Sequence, residues 1–330
     1  MRHIDTEHGM LTLLRLLQDG RFHSGQAIGD ALCISRNAVW KQVQRLESEL
    51  GIALNRVRGR GYQLASPLVL LNDAVLRDKG LSDIWPFHIY ESVDSTSAEA
   101  TRLVAKGVEP PFLVLSERQT SGRGRRGRIW QSPFGVNVYS SLVLRVQKGA
   151  RQLEGLSLVV GLAVMRALRA SGLDDAGLKW PNDILVGGKK IAGILLELTG
   201  DPADVCHVVV GVGVNVNMAN AQGIEQPWTS MKLELQRMVD RNEFVCVLSR
   251  QLHEHLSRHA ELGFAAFQEE WESNHLWQGR EVMLASGTQR IEGMVLGIDR
   301  VGALRLSVGG VEQRFSGGEI SLRLRDDRRA

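Results

Sequence analysis

Seven residues, Gly122 to Arg128, read Gly-Arg-Gly-Arg-Arg-Gly-Arg, and no other stretch limits the fold so tightly. Three glycines allow the backbone to turn sharply and to approach a ligand. The four guanidiniums repel one another, and a bound polyanion relieves that repulsion through charge-assisted hydrogen bonds. The apolar run Pro111 to Leu115 just upstream predicts a buried strand, so the loop hangs from the edge of a sheet. A ligand bearing phosphate or carboxylate is the first implication, and an exposed basic linker is the competing one. Gly122-x-Gly124-x-x-Gly127 also matches the dinucleotide fingerprint, which needs a helix opening in the loop. Pro133 opposes helical geometry at Ser132, and 143–148 carries no acidic residue to bind a ribose. A kinase glycine loop has the same form, but the chain lacks His-Arg-Asp and Asp-Phe-Gly segments.

At 330 residues the chain has room for two or three domains. The net charge of +3 is too small to diagnose nucleic-acid binding, but residues 1–66 alone carry nine Lys/Arg against six Asp/Glu. Cys33, Cys206 and Cys246 are odd in number and far apart, which predicts neither a disulfide framework nor a metal site and suits a reducing cytoplasm. The apolar stretch Leu156 to Met165 is too short to span a bilayer and predicts part of a buried helix, with no membrane partner.

Met10, Leu13, Leu14 and Leu17 fall on one face of a helix. Ser24 can cap a second helix bearing Ile28 and Leu32, and Ser35 a third whose inward stripe is Val39, Val43, Leu46 and Leu50. Arg36, Asn37, Trp40, Lys41 and Gln44 point elsewhere and can donate to phosphates and base edges. A hairpin follows with Arg56, Arg58 and Arg60 toward its tip. Three helices and a basic hairpin predict a winged helix-turn-helix that binds operator DNA through Ser35, Arg36, Asn37, Trp40, Lys41, Arg58 and Arg60. A packing or dimerisation module is the alternative.

The second informative stretch is Lys179-Trp180-Pro181-Asn182-Asp183. Gly187-Gly188 then predicts a tight hairpin between strands 184–186 and 191–198. Lys189 and Lys190 fall on opposite faces of the second strand, so one can face a site while the other faces solvent. Ala192-Gly193 leaves room beside them. The run Val208 to Asn217 predicts a buried strand whose glycines mark close approach by backbone or ligand.

Gly122–Arg128, Lys179–Asp183, Lys190-x-Ala192-Gly193 and Gly211–Asn215 occur in this order in biotin–protein ligases. The chain resembles the bifunctional bacterial form, which also represses the biotin-synthesis operon. The resemblance extends to Phe22–Gly25, Ser35–Val39 and Gly317–Arg323. It implies an α+β multidomain fold: an N-terminal winged helix-turn-helix (1–66), a linker (67–82), a class II synthetase-like mixed sheet with helices (83–273) and an SH3-like β-barrel (274–330). It implies ATP-dependent activation of biotin to biotinyl-5′-AMP, with Mg²⁺ on the leaving pyrophosphate. Transfer to a lysine of the biotin carboxyl carrier protein of acetyl-CoA carboxylase would follow. Biotin would contact Ser95, Thr96, Ser97, Gln119, Arg123, Gly124, Arg125 and Lys190. Arg125, Lys190, Asn215 and Trp228 would hold the nucleotide, with Trp228 against adenine. Arg125, Lys190 and Asp183 would be catalytic, Asp183 assisting the acceptor lysine or standing on the metal side. Ser97 stands where the family usually has Asn. The adenylate would order the loop and favour a homodimer on a two-fold operator. A lipoate–protein ligase, or a ligand-sensing repressor without ligase activity, are the rivals.

His255 and His259 lie one helical turn apart, but Ser257 breaks the His-Glu-x-x-His pattern. An exposed helix face is expected there rather than a metal site, and Glu269-Glu270 and the tail Arg323–Arg329 read as solvated surface. Strands are expected at 281–285, 289–296, 303–308 and 313–316.

Overall fold

The computed structural model describes residues 6–146, 152–200, 206–221, 223–286, 289–317 and 320–325. At its N-terminus stand helices α1 (Thr6–Leu17), α2 (Gly25–Leu32) and α3 (Arg36–Leu50) and the antiparallel hairpin β1 (Leu54–Val57) and β2 (Gly61–Leu64). Ser24 and Ser35 each accept a hydrogen bond from the backbone N–H three residues on, at 3.0 and 3.2 Å, so both act as N-caps. Met10, Leu13, Leu14, Leu17, Ile28, Val39, Val43 and Leu46 are buried together, as the helical spacing requires, and Leu50 packs partly buried against them.

The stretch 67–82, expected as a linker, is a packed strap. Leu68 and Leu70 join the helical core together with Phe134. The strap then forms α4 (Asp73–Asp78) and α5 (Leu81–Ile84), whose Leu76 and Leu81 enter the central core. Its fastening is ionic. Arg241, fully buried, donates to the Val69 carbonyl and to Glu117 Oε2 at 2.6 Å, while Glu117 Oε1 accepts from Leu71 N–H at 2.5 Å.

The central sheet runs β3 (Phe87–Tyr90), β4 (Phe112–Ser116), β5 (Val138–Val146), β9 (Cys206–Val214), β8 (Lys189–Gly200), β7 (Asp183–Val186) and β6 (Gly177–Lys179). Only β3 and β4 are parallel. Alternation sorts the side chains. Phe112, Val114, Val143 and Val209 pack against Ala100 and Leu103 of α6 (Thr96–Ala105). Leu113, Leu115, Leu142, Val210 and Val212 turn to the core shared with α7 (Leu156–Ala170) and α9 (Arg241–Leu262). The short helix α8 (Met231–Leu235) precedes α9, and α10 (Gln268–Ser273) leads to five antiparallel strands. These are β10 (Glu281–Ser286), β11 (Gln289–Ile298), β12 (Leu304–Val308), β13 (Val311–Phe315) and β14 (Ile320–Leu324), in the order β13-β12-β11-β10-β14.

Two surface expectations are corrected. His255 and His259 are buried, because Nδ1 of one meets the Gln251 carbonyl at 2.8 Å and Nε2 of the other meets the Glu154 carbonyl at 2.9 Å. Glu269 is exposed as expected, whereas Glu270 is half-buried and pairs with Arg166 at 2.6 Å. Arg323 is exposed, as expected of that tail, and lines the cleft described below; the rest of the tail from 326, and Gly318-Glu319 of the C-terminal motif, lie outside the described residues. No described helix is long and apolar enough to cross a membrane, and no described group of three His, Cys, Asp or Glu could hold a metal ion.

Candidate active site

The cleft opens on the face of the sheet that α6 only half covers. Residues 209, 211 and 213 of β9 point to this face in turn. Val209 packs under α6, whereas the two glycines yield their space. A Cβ on Gly211 would lie 3.0 Å from Ser97 Oγ, and one on Gly213 would lie 2.6 Å from the Trp130 indole. The strand glycines therefore mark close approach by side chains that wall the cleft.

The arginine loop closes on itself. Gly124 N–H donates to the Arg128 carbonyl at 2.7 Å and Trp130 N–H to the Gly122 carbonyl at 2.9 Å. Arg125–Gly127 form a single 3-10 turn with Arg126 in the left-handed region at φ 60°, and no helix opens there. Gly122 is obligatory, since a Cβ would meet the Trp130 carbonyl at 2.4 Å. Arg125 is half-buried and donates to the carbonyls of Gly317 and Ile320 in the C-terminal unit. Burial draws its pKa down. Arg123 turns outward to Glu197 at 3.1 Å.

The cationic end gathers around Asp183. Lys190 Nζ stands 2.6 Å from its carboxylate and Lys179 Nζ 3.8 Å away. Burial alone would raise the Asp183 pKa, but Lys190, Lys179 and Arg125 together outweigh it and hold the group below the ordinary carboxylate value. Burial is also the main cause lowering the Lys179 pKa, opposed by Asp183. Lys189 points away and is exposed, so the opposite-face expectation for the two lysines is met. The loop carrying Lys179 is clamped by the C-terminal unit: Trp180 Nε1 donates to the Gly302 carbonyl at 3.2 Å, Trp180 N–H faces His275 Nε2 at 3.5 Å, and Lys179 lies 4.8 Å from the Trp277 ring.

The opposite end is neutral. Thr96 N–H and Oγ1 both donate to Gln119 Oε1, at 2.9 and 3.1 Å, and Gln119 Nε2 donates to Ser132 Oγ at 3.0 Å. Ser95, Ser97, Gly124 and Arg123 line the same cleft. Asn215 and Trp228 do not reach its wall. Asn215 is buried and donates to the Thr229 carbonyl at 3.0 Å, and Trp228 is half-buried where its segment pairs with Lys190. Lys179, Trp130 and Arg323 also line the cleft and lie outside the expected site residues. Lys179 sits inside a motif that was singled out, and Trp130 follows the arginine loop directly.

On the head, Arg36, Asn37, Trp40, Lys41 and Arg58 are exposed, Trp40 at 49%. The Ser35 hydroxyl is committed to its cap, Arg60 stacks 4.4 Å over Phe22, and Arg56 pairs with Glu47.

Three family profiles match the chain: Biotin/lipoate A/B protein ligase family at residues 89–215, HTH domain at 10–63, and Biotin protein ligase C terminal domain at 279–323. The Bifunctional ligase/repressor BirA of Escherichia coli (strain K12) is 37% identical over 315 residues, covering 95% of this chain and 97% of that relative. The Biotin--[acetyl-CoA-carboxylase] ligase of Paracoccus denitrificans is 39% identical over 219 residues, 64% of this chain and 90% of that one. The solved biotin protein ligase from Aquifex aeolicus in complex with biotin and ATP aligns with a TM-score of 0.64 at 32% identity, covering 72% of this chain and 99% of that chain.

Proposed function

The chain belongs to the biotin–protein ligase family, and on that premise we propose that its cleft activates biotin with ATP and its head represses biotin synthesis. The observation that carries this reading is one cleft with two chemistries: a neutral hydroxyl and amide end, and a cationic end around Asp183. A small acid whose head hydrogen-bonds and whose tail is a carboxylate spans both.

In the first step a biotin carboxylate oxygen attacks the α-phosphorus of ATP, and the bond to the β-phosphate breaks as pyrophosphate leaves. Two anions must meet, so preplaced cations carry the barrier reduction. We assign that role to Arg125 and Lys190, with Lys179 as a third cation. Asp183 is the one carboxylate among the described residues lining the cleft, and it is already paired with two lysines. These residues do not make a cage for Mg²⁺, which fits an ion arriving on the ATP phosphates. Trp228 would offer an aromatic face to adenine, and Asn215 would hold that segment in place. In the second step the amine of an acceptor lysine, on the biotin carboxyl carrier protein of acetyl-CoA carboxylase, attacks the mixed-anhydride carbonyl and AMP leaves. We assign to Asp183 the acceptance of the proton that this amine must lose.

We further infer functional units at 1–66, 83–273 and 274–330, a cytoplasmic setting in which the three free cysteines persist, and adenylate-driven homodimerisation that sets two heads on an operator. Sedimentation that does not respond to biotin with ATP would sink the dimer. The ligase reading is tested by ATP–pyrophosphate exchange with biotin and, separately, lipoate. Exchange with biotin is expected. Exchange with lipoate alone would move the chain to the lipoate ligases, and exchange with neither would leave a ligand-sensing DNA-binding protein.

A further inference from the structure

The segment that follows α10 adds itself to the central sheet. β6 is the last strand of that sheet, and Leu178 on its free edge pairs in parallel with His275. Leu178 N–H donates to the Asn274 carbonyl at 2.9 Å, and Leu276 N–H donates to the Leu178 carbonyl at 3.0 Å. A parallel ladder carried one step further would give the Trp180 N–H a backbone carbonyl. It faces a side chain instead, His275 Nε2 at 3.5 Å. An N–H can only donate, so Nε2 carries the lone pair and Nδ1 the proton.

Both residues are buried, and the imidazole packs 4.7 Å from the Trp271 ring. Its Nδ1 has no hydrogen-bond partner among the described residues. A phenylalanine would fill the same space with no polar atom left over, so packing alone does not account for the histidine. Nε2 does, because without it the Trp180 N–H is buried and unpaired. That N–H belongs to the peptide joining Trp180 to Lys179. Lys179 in turn lies opposite Asp183 across the β6–β7 hairpin, 3.8 Å away. The far end of this loop is fixed to β8: Ile194 N–H donates to the Asn182 carbonyl at 2.9 Å, and Asn182 Nδ2 to the Ile194 carbonyl at 3.0 Å. A Trp180 N–H deprived of its acceptor would turn toward another, and turning that peptide re-aims the lysine.

We propose that His275 is a positioning residue for adenylation: its Nε2 accepts from Trp180 N–H and so holds Lys179 in place beside Asp183 and Lys190. This rests on the assignment of that cationic end to the adenylation step.

The test is ATP–pyrophosphate exchange with biotin, at a temperature where circular dichroism shows each variant folded. His275→Phe keeps a ring and loses the acceptor. It should lower kcat by roughly five- to twentyfold, the effect of one buried donor left unpaired, and leave the Kd for biotin unchanged. His275→Gln, whose Oε1 can reach the place of Nε2, should restore most of kcat, and the shorter His275→Asn should not. In a Lys179→Met background, His275→Phe should cost less than about twofold more, because it acts through that lysine. A folded His275→Phe with a lower Tm and an unchanged kcat overturns the proposal. So does His275→Gln no better than His275→Asn, or a full further loss on top of Lys179→Met. If His275→Phe does not fold, the Gln and Asn variants decide; failure of all three to fold would make the histidine purely structural and overturn it equally. Wild type inactive with biotin would instead overturn the adenylation reading, and this proposal with it.

Discussion

The two ends of the cleft are built on opposite plans. At the neutral end the Thr96 and Gln119 contacts are complete before any ligand arrives, and selectivity lies in which way each proton points. At the other end Arg125, Lys179 and Lys190 face one carboxylate among the described residues, Asp183, an excess of positive charge that suits an incoming anion. Recognition of a ring needs direction, which a finished hydrogen-bond chain supplies. Phosphoryl chemistry needs field, which uncompensated cations supply. The difference predicts that the two ends can be damaged separately.

The largest effect is expected at the cationic end. Lys190→Met should lower exchange by about 10²–10³-fold, the usual loss for one preplaced charge stabiliser. Biotin binding without ATP, measured calorimetrically, should fall far less; equal losses would show that the ends are not separable. Next comes the clamp that holds this end. Burial lowers the His275 pKa from 6.5 to about 4. The folded protein thus keeps this imidazole neutral while the unfolded chain takes up a proton below pH 6.5. Its contribution is intact above that value and is lost as pH falls toward 4, by about 3 kcal/mol in all. Denaturant titrations across this range should show that loss, and His275→Gln should flatten it. A slope unchanged in the variant would reject His275 as the acid-sensitive group. The serine, threonine and glutamine side chains of the neutral end do not titrate here, so that end should add no slope of its own.

Much of this was legible locally. The stripe Met10, Leu13, Leu14, Leu17 buries as its spacing demands, and Gly211 and Gly213 mark close approach as strand glycines should. The two lysines after Gly188 divide between site and solvent because alternation along a strand is a local rule. What escaped depends on partners remote in sequence. Ser141 looks like any strand residue until Ser97, 44 positions away, is beside it. His259 reads as surface until the Glu154 carbonyl, 105 positions away, meets its ring. The strap at 67–82 had a local signal in Pro67-Leu68-Val69-Leu70-Leu71, but its anchor, Arg241, lies 172 positions on from Val69. Polar residues buried through distant partners leave no periodic trace.

Between the two ends lies Trp130, which Gly213 admits. Gly213→Ala would press a methyl into the indole, at a cost of about 1–3 kcal/mol in strain or displaced packing. Its KM for biotin should rise while circular dichroism stays native; an unchanged KM would remove Trp130 from the wall of the site. The smallest effect separates neighbours in one loop. Arg123 and Arg125 stand two residues apart, yet the first turns its guanidinium to Glu197 on the exposed side and the second is half-buried against the C-terminal unit. An exposed pair contributes about 0–1 kcal/mol, so Arg123→Ala should barely move the melting temperature and should change exchange only a few-fold. Whatever Arg123 gives the neutral end then comes from its backbone, which alanine keeps. Arg125→Ala in the same assay should lose exchange on the scale of Lys190→Met. A loss in Arg123→Ala as deep as that would mean its side chain leaves Glu197 when substrate binds, and the division between the two ends would have to be redrawn.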